Sequence, residues 1–127
     1  MEILKKWHEA IATRDLSMLD EILADDVIFY SPVVWTPQEG KALATMYLSA
    51  AFYVLGGNDF KYVKEVISGN MACLEFSTKV DDIIVNGVDI ITTNEAGKIV
   101  EFKVMVRPLK GMMILKEKMF ELMEKMK

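Results

Sequence analysis

The chain has 127 residues, 52% apolar and 27% charged, enough for one domain around one core and too apolar for a disordered segment. A formal net charge of −4, with Arg14 and Arg107 the only arginines, argues against a nucleic-acid partner, since phosphates are held by clustered Lys and Arg. No apolar run approaches the roughly 20 residues that span a bilayer, so no membrane partner is expected.

In chain order, Ile3, Leu4, Trp7, Ala10 and Ile11 recur at helical spacing and predict a first amphipathic helix over residues 2–13. Its N-terminus turns polar too early for a signal peptide, and Cys73 is the only cysteine, so a cytoplasmic protein without a thiolate metal site is expected. Asp15 reads as the N-cap of a second helix with Leu16, Leu19, Ile22 and Leu23 on its stripe. Asp25-Asp26 breaks that pattern, and Val27-Ile28-Phe29-Tyr30 predicts a short strand stopped by Ser31-Pro32. A loop rich in proline and aromatics leads to a third helix over 41–55, with Leu43, Met46, Tyr47, Ala50 and Val54 on its stripe. Gly56-Gly57 closes that helix.

The second half changes to a period of two. Residues 60–67 and 71–80 read as strands, and in the latter Leu74, Phe76 and Thr78 share a face. Asp81-Asp82 falls where a tight turn is needed, because aspartate tolerates positive φ. Residues 83–93 predict the next strand, with a bulge expected at Asn86-Gly87. After the Asn94–Gly97 turn, Phe102, Val104 and Val106 alternate with Glu101, Lys103, Met105 and Arg107 until Pro108 ends the strand. If neighbouring strands pair, Glu75 and Arg107 meet as an ion pair on the polar face, which with Lys103, Met105 and Cys73 forms a natural dimer surface. A Met- and Lys-rich tail places Met112, Leu115, Met119, Leu122 and Met126 at helical spacing, a stripe for ordinary core packing, with packing on a partner subunit as the alternative.

The segments Arg14-Asp15-Leu16, Leu23-Ala24-Asp25-Asp26-Val27 and Ser31-Pro32 form one signature. Val85-Asn86-Gly87-Val88-Asp89-Ile90, the Asn94–Phe102 run and Val106-Arg107-Pro108 form another. Together they resemble the nuclear transport factor 2-like superfamily and its SnoaL-like branch. The resemblance implies a single α+β domain over residues 1–127: a cone-shaped, mostly antiparallel curved sheet packed against three N-terminal helices, plus a C-terminal helix. It also implies a homodimer and an apolar cup for a small apolar or amphipathic organic ligand, with no cofactor. That cup would be lined by Trp7, Tyr30, Tyr47, Leu74, Phe76, Ile91, Phe102, Val104 and Val106.

Carried over residue by residue, the resemblance to ketosteroid isomerases puts Trp7 at the hydrogen-bonding tyrosine, Ser31 at the catalytic base and Asp89 at the oxyanion-hole aspartate. One of three roles is retained. Asp89, between Val88 and Ile90, is the leading catalytic candidate, because a carboxyl in an apolar wall is driven toward its neutral form. The alternative is an aspartate satisfied by backbone near Asn86-Gly87. His8, the one histidine, is the second catalytic candidate. Tyr30, Tyr47 and Tyr53 are further hydrogen-bond donors. No second histidine or thiolate stands at ligand spacing, so no metal site is expected. Two functions compete, an isomerase-, cyclase- or hydrolase-type enzyme acting through Asp89 or a non-catalytic binding or interaction module; a third possibility is a structural dimer with a filled core and no pocket.

Overall fold

A computed structural model describes residues 1–57 and 59–125; Met126, expected on the last helical stripe, lies outside the described residues. The chain begins with α1 (Glu2–Thr13), whose buried side chains Ile3, Leu4, Trp7 and Ala10 form the predicted stripe. Asp15 does cap the next segment, its carboxylate accepting from Ser17 N at 3.0 Å. The capped segment is shorter than expected: one 3-10 turn (Leu16–Met18), then a single turn of helix, α2 (Leu19–Ile22). Leu23 is already extended and opens β1 (Leu23–Tyr30), four residues before the expected strand start. Asp25 and Asp26 are exposed members of that strand, and Leu23 pairs with Ile99 across the sheet. Sheet pairing there overrides the helical pattern of the apolar residues.

After the two-residue β2 (Gln38–Glu39), α3 spans Lys41–Leu55, as predicted. Its face is shifted: Ala44, Leu48, Ala51 and Leu55 are buried together with the expected Ala50, while Leu43 is exposed and Met46, Tyr47 and Val54 are half-buried. This helix is apolar almost all round, so spacing alone does not decide which stripe meets the core.

The remaining strands are β3 (Lys61–Ser68), β4 (Met71–Val80), β5 (Ile83–Thr93) and β6 (Ile99–Arg107), followed by α4 (Leu109–Lys125). They form a curved six-stranded sheet in the order β2-β1-β6-β5-β4-β3. Neighbours are antiparallel except β1 and β6, which run parallel. The β4–β5 turn uses the two aspartates as expected, Asp81 at φ 49° and Asp82 at φ 66°.

The expected bulge at Asn86-Gly87 is absent: β4 and β5 pair without interruption from Met71↔Thr92 to Val80↔Ile83. Gly87 is there for close approach instead. A Cβ at that position would lie 2.4 Å from Phe76 Cζ and 2.6 Å from the Met105 carbonyl oxygen. The Phe76 ring therefore lies across the bare backbone of β5. Irregularities occur elsewhere, between Tyr62 and Lys64 on β3 and between Thr92 and Thr93 on β5.

One face of the sheet carries Phe29, Leu74, Phe76, Val85, Ile91, Phe102 and Val104, all buried against α1, α3 and α4. From α4, Leu115 and Met119 enter the same core. Among the described residues no helix is long and apolar enough to cross a membrane.

Candidate active site

Asp89 belongs to the inward-facing set of β5, paired with Leu74 on one side and Val104 on the other. Its side chain meets no backbone donor of the Asn86-Gly87 segment. Asp89 Oδ2 accepts a 2.6 Å hydrogen bond from the Tyr62 hydroxyl. Tyr62 in turn accepts one from the Trp7 indole N–H at 2.9 Å. The direction of the chain is fixed by chemistry. An indole N–H only donates, so the phenol oxygen accepts there, and the single phenolic proton goes to Asp89. Oδ2 is thus committed as an acceptor, and any proton on the carboxyl rests on Oδ1.

Burial pushes the Asp89 carboxyl up to about 7 from its ordinary 3.8, and the Tyr62 hydrogen bond pulls partly the other way. Tyr62 is shifted well above its ordinary value, first by burial and then by the neighbouring Asp89 charge. Near neutrality the pair therefore exchanges a proton at the carboxyl while the phenol keeps its own.

A narrow cavity of about 30 Å³ adjoins Asp89, walled by Trp7, Leu48, Phe52, Leu55, Phe60, Phe76 and Val104 among others. That is the room of about one water. The surrounding apolar volume is filled with rings: Trp7 meets Phe102 edge-on at 5.0 Å, and Phe60 stacks on Phe76 at 5.3 Å.

Of the residues read from the sequence as pocket lining, Trp7, Phe76 and Val104 border this cavity. Leu74, Ile91 and Phe102 are wholly buried in the core. Tyr47 packs beside Phe29 with ring centroids 6.3 Å apart. Tyr30 and Val106 line a different hollow, between β6 and the loop after β1. There Ser31, the residue at the base position, accepts from the Val33 N–H at 3.1 Å.

His8 is half-exposed, its Nε2 2.6 Å from Glu65 Oε1 and its ring edge-on to Tyr62 at 5.4 Å. It braces the outer side of the tyrosine. The residue that sequence reasoning missed is Tyr62, the one tyrosine of four not named as a donor. Glu75 and Arg107 do not form the expected direct ion pair. Asn86 stands between them, donating to Glu75 Oε2 at 3.0 Å and accepting from Arg107 Nη1 at 3.3 Å. Among the described residues no three of His, Cys, Asp and Glu converge into a metal-holding group.

The family of SnoaL-like domains matches residues 4–102, and the chain belongs to it. A steroid delta-isomerase from Pseudomonas aeruginosa superposes with a TM-score of 0.93 at 36% identity, over 98% of this chain and 90% of that one. An uncharacterised cystatin-like-fold protein from Silicibacter pomeroyi gives 0.86 at 31% identity, over 94% and 83% of the two chains. An NTF2-like protein of unknown function from Mesorhizobium loti shares the fold, with a TM-score of 0.72 at 19% identity over 84% and 89%. No curated protein matches the chain.

The raised carboxyl makes a signed pH prediction. Between its ordinary value and about 7 the folded state holds a proton that the unfolded state has released, so stability falls as pH rises through that window. Asp89→Asn mimics the protonated form. Urea unfolding should find the two proteins similar near pH 4, with the variant the more stable at pH 8 by on the order of 2–4 kcal/mol. A difference independent of pH would contradict the shift.

Proposed function

We propose that the protein binds a small, mostly apolar molecule through an oxygen acceptor such as a carbonyl, with Asp89 Oδ1 as hydrogen-bond and proton donor. The chemistry served is of isomerase, cyclase or hydrolase type. The observation that carries this reading is the 2.6 Å Tyr62–Asp89 hydrogen bond in an apolar wall, which leaves one carboxyl oxygen to meet a ligand. A carboxyl balanced near pH 7 suits general acid catalysis, where the best group is half-protonated under working conditions. The Pseudomonas steroid delta-isomerase, 36% identical, supports chemistry of this kind.

A ligand larger than water fits beside Asp89 only if some of the cavity lining moves aside. A second reading, binding without turnover, has its own support. Asp89 is the only carboxylate on the cavity wall among the described residues, and Ser31 supplies no base. The two readings separate in one experiment with a β,γ-unsaturated cyclic ketone, followed by absorbance as the double bond moves into conjugation. The catalytic reading expects turnover, with the ionised fraction of Asp89 taking the α-carbon proton and returning it to the γ-carbon, and Asp89→Asn lowers it by about 100-fold. Binding of the ketone without conversion favours the second reading, and turnover unaffected by the substitution removes Asp89 from the chemistry.

We also propose that two copies pair through the outer sheet face. Val66, Met71 and Met105 are exposed there, beside half-buried Cys73, Val88 and Ile90. Lys64, Glu75 and Arg107 mix charge signs around a hollow of about 400 Å³, which suits a self-complementary contact. Light scattering should give a dimer mass for the wild type and a monomer for Val66→Glu. A wild type that stays monomeric at high micromolar concentration would contradict this pairing.

A further inference from the structure

A second hollow, larger than the space beside Asp89, lies where β1 leaves the sheet. Ser31-Pro32 ends the pairing of β1 with β6 at Tyr30↔Lys103, so residues Val104–Arg107 have no strand on that side. The 31–37 loop arches over the gap and leaves a hollow of about 520 Å³. That volume falls within the range of small-molecule sites, roughly 300–1,000 Å³. Val104 borders both this hollow and the cavity at Asp89.

Three features of the hollow point to its ligand. Trp35, on the loop, is 96% exposed, whereas Trp7 is 3% exposed. A tryptophan left wholly in water beside an apolar hollow forgoes one of the largest burial gains any side chain offers. The walls from Pro32, Val34, Val104, Val106 and Met112 are apolar. The one cationic group on the lining is Lys103, whose ammonium lies 4.7 Å from the centre of the Tyr30 ring. No carboxylate pairs with it among the described residues. Pro32 and Pro37 fix φ at two points of the loop, which lowers the entropy cost of holding it over a ligand.

We propose that this hollow is a binding site for an aromatic or alicyclic carboxylate of two or three rings. The rings lie on the Trp35 indole and the Val104–Met112 wall, and the carboxylate meets the Lys103 ammonium. A formal charge of −4 repels anions in general, so selection of an anion here rests on Lys103. The hollow shares Tyr30, Val104 and Val106 with the expected cup and Ser31 with the base position, yet none of its proposed ligand contacts involves Asp89, Tyr62 or Trp7, so it stands if the Asp89 reading fails.

The test uses 2-naphthoate against its neutral counterpart 2-naphthylmethanol, with binding read by calorimetry and by the indole N–H resonances of the two tryptophans. The naphthoate should bind about tenfold more tightly than the alcohol, as a charge-assisted contact provides. It should shift the Trp35 resonance, which Trp35→Phe identifies by its loss, and leave that of Trp7 in place. Lys103→Gln should abolish the preference for the anion, while Lys116→Gln, on α4 outside the hollow, should retain it. Equal affinity for acid and alcohol, no binding of either probe, or a shift of the Trp7 resonance instead would overturn the proposal. Met105 also lies on the face proposed to pair two copies, so the concentration dependence is read on Val66→Glu; a Trp35 resonance that still moves with protein concentration alone would overturn the proposal, because a second copy would then be covering the hollow.

Discussion

A carboxyl group that is 6% exposed in a hydrocarbon wall must find donors or give up its charge. Asp89 does some of each. The Tyr62 hydroxyl supplies one strong hydrogen bond, which by itself would favour the ionised form, and burial outweighs it. The outcome is a group balanced close to neutrality with its acceptor side occupied. Trp7 completes the arrangement, because its N–H leaves the phenol no choice but to point its proton at Asp89. One fully buried oxygen without a donor would cost about 1–3 kcal/mol, so each member of the chain stabilises the next. Among the described residues no side-chain oxygen or nitrogen atom that is itself wholly shut off from solvent lacks a partner.

The fold packs that chain between the sheet and α1. Asp89 stands near the middle of β5, paired on both sides. Two residues away, Gly87 lets the Phe76 ring lie against the backbone, and that ring stacks with Phe60 next to Tyr62. Helix α1 brings Trp7 from the opposite layer, and the His8–Glu65 contact ties the same helix to β3 just outside the tyrosine. The polar chain is thereby clamped between two layers. The same dense ring packing leaves so little free volume beside the carboxyl that ligand entry and wall displacement are one event. The roomy hollow lies on the far side of Val104, where β1 stops and the sheet stays open.

Much of this was legible in the residues. Period-two alternation identified the inward face of β4 and β6, the two aspartates identified the β4–β5 turn, and helix spacing gave α1 and the bounds of α3. Asp89 stood out as a charge in an apolar strand. What was not legible depends on pairing at long range. Leu16 to Leu23 has a helical apolar pattern, yet its end is drawn into a strand by Ile99 far along the chain. Tyr62 lies in a strand that alternates poorly, Lys-Tyr-Val-Lys-Glu-Val-Ile, and the register shift after it upsets the face assignment. Its partner is 27 residues away. The available signal was thin: a tyrosine at the start of a strand predicted to neighbour the one facing Asp89.

A single electrostatic balance decides the chemistry at Asp89, and isotope-edited infrared or carbon NMR titration of its carboxyl measures that balance directly. The structure predicts a midpoint near 7, and a further rise when Tyr62 is replaced by Phe, because the hydrogen bond that favours the charged form is then gone. A midpoint near the ordinary 3.8, unmoved by the loss of that hydroxyl, would contradict it.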